Sequence, residues 1–152
     1  MVLANCLKAS WLLALMMTLA SAQAIDDQVL IKKNDIKLTS SNGHCQISFA
    51  KQTVALNLTP PCRFLRSDGK TLGQYSYPKI GTVFLVVGAP AKMEALKKFD
   101  SYDIKETDLC STEAQGIILQ GKTLKAGIRD GSWVYCPSRA KDEKVYYSFA
   151  HP

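Results

Sequence analysis

The sequence is poor in histidine, with only His44 and His151. It contains no C-x-x-C pair and no G-x-S-x-G elbow, and no long apolar run follows Ala24. Each gap removes a class of function. Scarce histidine leaves acid–base chemistry almost entirely to carboxylates. Without C-x-x-C spacing, a zinc knuckle or a thioredoxin-like redox pair has no ligands to build on. Without the elbow, a serine nucleophile lacks its usual strand-to-helix setting. The longest later apolar stretches, Thr82 to Gly88 and Ile117 to Leu119, suit strands; a spanning helix needs about 20 apolar residues. The basic residues also lack the dense interleaving with aromatics that marks a nucleic-acid track, so nucleic acid is not an expected partner.

What is present begins with an export signal. Lys8 precedes the apolar run Trp11–Ala20, and Ala22-Gln23-Ala24 places small residues ahead of Asp26-Asp27. That is the order of a secretory leader, with cleavage expected after Ala24. Cys6 lies in front of the apolar run, where a lipoprotein cysteine would not be. Residues 1–24 therefore read as a cleaved signal peptide, and residues 25–152 as a single compact exported domain without a membrane span, periplasmic or secreted. The chain carries 19 Lys and Arg against 13 Asp and Glu, and only Lys8 leaves with the leader. A moderate basic excess favours acidic partners, such as an acidic protein face or an anionic envelope polymer.

Of five cysteines, four remain after the leader: Cys45, Cys62, Cys110 and Cys136. An even number in an exported domain reads as two disulfides. Cys45–Cys62 and Cys110–Cys136 are favoured, because each closes a short segment within its own half. The crossed connectivities stay open. Loops of this size stabilise by about 3 kcal/mol each in the chain-entropy model.

Short alternating segments dominate the rest. Gln28–Leu38 reads as a strand pair around Lys33-Asn34-Asp35, and Asn42-Gly43 marks a hairpin turn. Cys45, Ile47 and Phe49 fall on one face of a strand, and Val54, Leu56 and Leu58 on one face of the next. Pro60-Pro61 ends that unit, and Cys62 to Leu65 is a further short strand. Thr82–Val87 is apolar almost throughout and is expected at the buried centre of the sheet. Gly116–Leu124 and Ile128–Tyr135 read as strands with a turn at Asp130-Gly131, and Lys144–Phe149 as the closing strand. The convincing helix is Ala91–Phe99, with Pro90 suited to its first turn. The expected fold class is α+β, a mostly antiparallel sheet with one short helix at about residues 91–99 and two disulfides.

Gly116-Ile-Ile-Leu-Gln-Gly121-Lys122-Thr123 satisfies the G-x-x-x-x-G-K-[ST] pattern of a phosphate loop. That chemistry requires a flexible glycine-rich loop ahead of a helix. Three apolar residues fill the middle here, and too little chain follows for the helix, so a hairpin is the reading. His44 is expected as a turn residue and His151 as part of a frayed end. Asp103, Glu106 and Asp108 form an acidic patch that lacks the dense ligand loop of a calcium site. No metal or cofactor is expected. Asn57-Leu58-Thr59 matches a glycosylation sequon but adjoins Pro60, and is discounted.

Aromatic and basic residues supply the binding candidates. Tyr75, Tyr77 and Lys79 flank Pro78, while Arg129, Trp133, Tyr135 and Arg139 lie near Cys136. One of Tyr146 and Tyr147 is expected to face outward. Tyr, Trp and Arg carry most interface hot spots, since they bury much area at small entropic cost. The sequence thus points to a binding protein of the cell envelope rather than an enzyme, in particular an inhibitor or immunity protein directed at a toxin or wall-degrading enzyme. A small envelope hydrolase working through His44 or Asp68, and an envelope assembly factor, are the alternatives.

Overall fold

In the computed structural model, residues 25–31, 33–99 and 103–152 are described; the expected leader lies outside them. Among the described residues, nine strands form two antiparallel sheets. The first contains β1 (Ile25–Ile31), β2 (Asn34–Ser41), β3 (His44–Phe49) and β4 (Gln52–Ala55), in that spatial order. The second contains β5 (Arg63–Phe64), β6 (Gln74–Tyr77), β7 (Gly81–Val87), β8 (Ala114–Gln120) and β9 (Thr123–Asp130), ordered β5-β7-β8-β9 with β6 also paired to β7. A short helix, α1 (Met93–Leu96), follows β7, and a helix α2 (Glu143–Ala150) closes the fold.

The layers follow from the side-chain pattern. In β2 and β3 every second residue is buried: Ile36 and Leu38, then Cys45, Ile47 and Phe49. These pack on Phe64, Phe84, Val86, Ile117 and Leu119 of the second sheet. The opposite face of β7, with Val83, Leu85 and Val87, packs with Ala114 and Tyr135 against Tyr146, Phe149 and Ala150. β7 is therefore covered by a sheet on one side and a helix on the other, which explains why its sequence runs apolar without alternation. The order is sheet, sheet, helix.

The two seams of the sandwich are closed by side chains rather than ladders. On one side, the Asp27 carboxylate accepts the Phe64 N–H at 2.9 Å and both terminal nitrogens of Arg66 at 2.7 and 2.8 Å. On the other, the Gln52 side-chain oxygen accepts the Leu124 N–H at 2.9 Å. Burial alone would push the Asp27 carboxyl up. The Arg66 guanidinium and the N–H groups of Phe64 and Gln28 outweigh it and hold the carboxyl below its ordinary value.

Both favoured disulfides are present, Cys45–Cys62 and Cys110–Cys136. The first lies in the core between the sheets. The second forms a separate apolar cluster with Leu96 and Val134, to which Met93 and Phe99 add partial cover. The fold is mostly antiparallel sheet with a short helix at the expected place. That helix covers only Met93–Leu96 of the expected 91–99. Leu96 alone in the segment is fully buried, and one anchored turn offers little packing to propagate a longer helix.

Two other segments differ from expectation. The hairpin after β8 turns at Gly121-Lys122, with Gly121 at φ 62°, so the following strand ends at Asp130 instead of beginning at Ile128. This also disposes of the phosphate-loop match: Gly116 to Gln120 is strand, and Gly116 lies under Phe149, whose Cβ a methyl group there would approach to 2.9 Å. Lys144–Phe149 is helix, not strand. Asp142 caps it by accepting the Lys144 N–H at 2.9 Å, and Tyr146, Phe149 and Ala150 share the buried face.

Truncating Phe84, which meets Phe64 at 6.0 Å between ring centroids, is expected to cost about 3–5 kcal/mol in denaturant unfolding. The depressed Asp27 carboxyl contributes stability above pH 4, lost as pH falls through its folded value. Asp27→Asn is accordingly expected to be less stable than wild type at pH 7, by about 1–3 kcal/mol. The difference should shrink steadily between pH 4 and 2 in urea titrations.

Candidate functional site

The face formed by β6 and α2 gathers the exposed aromatics. Strand β6 runs along the edge of β7, and α2 lies across the same sheet face. Tyr146 points inward, its ring 4.8 Å from Tyr75. Tyr147, one residue on, points out and is 51 % exposed. Its ring stacks on His151 at 3.9 Å between centroids, with the planes 20° apart. Tyr77 stands edge-on to both, 5.7 Å from Tyr147 and 5.6 Å from His151. The Tyr77 hydroxyl donates to the Glu143 carbonyl at 3.3 Å. Partial burial and that bond push its ionisation up to about 12, so the phenol remains a neutral donor throughout the physiological range.

His151 is thus not a frayed end. Its backbone N–H reaches the Tyr147 carbonyl at 3.0 Å, and Nδ1 lies 3.1 Å from the same oxygen. Tyr75 (38 % exposed) continues the ridge. Lys79 follows it in a tight turn, its carbonyl accepting from Gln120 Nε2 at 3.1 Å. His151 and Glu143 were not singled out as binding residues in the sequence, and Tyr147 only as one of a pair with Tyr146. The signal was there in Asp142-Glu143 as a helix start, with Tyr146, Phe149 and Ala150 at helical spacing.

The second candidate group divides. Trp133 projects from the loop after β9 and is 59 % exposed. Tyr135 is 1 % exposed and belongs to the core beneath α2, which withdraws it from any contact surface. Its hydroxyl donates to the Asp130 carboxylate at 2.6 Å. Burial and the neighbouring carboxylate push the phenol far up. Burial would raise the Asp130 carboxyl, but the bonds from Tyr135 and Ser132 overcome it and hold it below the ordinary value.

The arginines act as struts. Arg129 pairs with Glu113 at 2.5 Å, and Glu113 also takes the Thr59 N–H at 2.7 Å. Arg139 pairs with Asp108 at 2.5 Å and donates to the Asp103 carbonyl at 2.7 Å. Two of the three acidic-patch residues are therefore tied to the loop that follows Cys136.

A shallow cleft of about 260 Å³ lies beside the ridge, lined by Gln74, Tyr75, Ala140, Lys141 and Tyr146 among others. Lys141 donates to the Val134 carbonyl at 2.7 Å and lies over the Tyr135 ring, 5.2 Å from its centroid. Burial lowers the Lys141 ammonium below its ordinary value.

His44 and Asp68 share no hydrogen bond among the described residues. His44 opens β3 in an exposed position, while the Asp68 carboxylate is occupied by the N–H groups of Lys70 and Thr71, at 2.9 and 2.5 Å. No group of three or more potential metal ligands occurs among the described residues. None of their helices is long and apolar enough to cross a membrane.

Compared with protein-family models, characterised proteins and solved structures, the chain finds no match.

Tyr135→Phe leaves Asp130 without its buried donor. It is expected to cost about 1–2 kcal/mol in thermal or urea unfolding, with the solvent-exposed emission of Trp133 unchanged. A blue shift of that emission would show that the loop had been reorganised instead.

Proposed function

We propose that the protein is an exported, soluble binding protein of the cell envelope, acting as an inhibitor or immunity protein against a toxin or wall-degrading enzyme. The observation that carries this reading is the rigid tyrosine ridge. Tyr75, Tyr77 and Tyr147 are held in fixed orientations on a strand and a helix before any partner arrives. Side chains immobilised in advance lose little entropy on binding, and aromatic rings bury much area for few rotors. Two disulfides that lock the core and the loop beside Trp133 suit an oxidising compartment, periplasmic or extracellular. The basic excess favours an acidic partner face.

The contact surface is the ridge together with Lys79, Trp133 and Arg139. It omits the buried Tyr135. Arg129 contributes as the support of the Thr59–Glu113 contact. The hydrolase alternative has less behind it, since His44 and Asp68 are not joined and Asp68 is engaged with its own turn.

Immobilised, oxidised protein exposed to envelope extracts is expected to retain one protein in stoichiometric amount, whose lytic or toxic activity falls on binding. Tyr147→Ala or Trp133→Ala should weaken that capture about 10–100-fold with an unchanged unfolding midpoint. Retention of wall polymer only, or slow polymer cleavage with no protein retained, would reject the inhibitor reading in favour of the hydrolase.

A further inference from the structure

β1, β5, the loop before Cys110 and the turn after Cys136 enclose a cleft of about 240 Å³, lined by Asp26, Asp27, Arg63, Thr107, Asp108 and Ser138 among others. Its carboxylates are all engaged. Asp27 holds Arg66, and Asp108 holds Arg139 and the Lys105 N–H at 2.9 Å. Asp26 accepts from the Ser40 hydroxyl and, at 3.5 Å, from the Cys62 N–H.

Arg63 is the exception. Its guanidinium makes no ion pair or hydrogen bond among the described residues, and its Nε is sealed from solvent with no partner. Thr107 and Ser138 likewise hydrogen-bond through no side-chain oxygen among these residues. A buried donor on a charged group is costly to leave unmade. Asp26, Asp27 and Asp108 accept from other donors, and none of them hydrogen-bonds Arg63. The cleft therefore presents a cation and two hydroxyls that no hydrogen bond among the described residues engages.

We propose that this cleft binds a carboxylate monoanion. The planar guanidinium of Arg63 matches the two oxygens of a carboxylate, and the hydroxyls of Thr107 and Ser138 line the same cleft as further donors. Three carboxylates around the same space disfavour a dianion such as phosphate. The volume equals roughly eight waters at about 30 Å³ each, which suits a small acid or the terminal residue of a peptide and not a polymer segment.

The sealed Nε–H is its own reporter, since a proton sheltered from solvent exchange gives a separate NMR resonance. The oxidised domain, ¹⁵N-labelled, would be titrated with acetate, with N-acetyl-alanyl-alanine, and with the C-terminal amide of that dipeptide. At least one carboxylate is expected to move the Arg63 Nε–H signal saturably while the amide leaves it in place. A response to acetate assigns a small acid as sufficient, whereas a response to the dipeptide alone assigns a chain terminus. An equal response to the amide, or none to either carboxylate up to about 50 mM, overturns the proposal.

Arg63→Gln should weaken carboxylate binding about tenfold or more. Ser138→Ala, an exposed turn substitution that leaves the fold intact, should weaken it severalfold. Arg63→Gln should not alter protein capture through the tyrosine ridge, so failure of that capture and failure of carboxylate binding are read separately.

Discussion

The structure depends on β7 being dry on both faces. Phe84 and Val86 interlock with the first sheet, and Val83, Leu85 and Val87 with the closing helix. A strand buried on two sides holds its register through shape rather than polarity, because a slip of one residue would exchange the Phe84 face for the smaller Val83, Leu85 and Val87 face in close-packed layers. It also fixes where α2 must lie, since that helix is the only cover among the described residues for the second face. Tyr146 and Phe149 fill that role, and their burial turns Tyr147 outward on the next step of the helix. The exposed ridge is thus a by-product of core packing, and its rigidity comes from the same source.

The periphery is organised by polar contacts with a different logic. Asp27 and Gln52 close the two seams by accepting backbone N–H groups that a continuous ladder would have satisfied. Asp130, Asp108 and Glu113 brace the loops around the second disulfide. Arg129 and Arg139 are thereby committed to holding loops in place. The exposed side chains of the ridge are aromatic, with Lys79 beside them.

Much of the fold was legible in the sequence because burial there is strongly patterned. The unbroken apolar run of β7, the alternation in β3 and the Asn42-Gly43 turn each point one way, and the two disulfides formed are the pairing that short spacing favoured over the crossed ones. The closing helix was not legible as such. Val145-Tyr146-Tyr147 consists of residues that favour strands locally, and the Asp142 cap with the burial of Tyr146, Phe149 and Ala150 on the second sheet outweighs that preference. The turn at Gly121-Lys122 was masked for a similar reason, since the apolar residues before it continue naturally into Leu124. Of the candidate site, Tyr75, Tyr77 and Trp133 lie at the surface, but Tyr135 does not: its hydroxyl finds Asp130 five residues away in a loop whose folding local pattern does not specify. Arg63 carried no sequence signal, because its isolation is a property of how its neighbours pair.

The most direct test of the account is a hydrogen-exchange footprint of the protein bound to its captured partner. The account predicts slowed exchange at residues 74–80 and 143–151, with a lesser effect at residues 131–139. Slowing confined to the outer face of the first sheet, with the ridge exchanging as in the free protein, would contradict it.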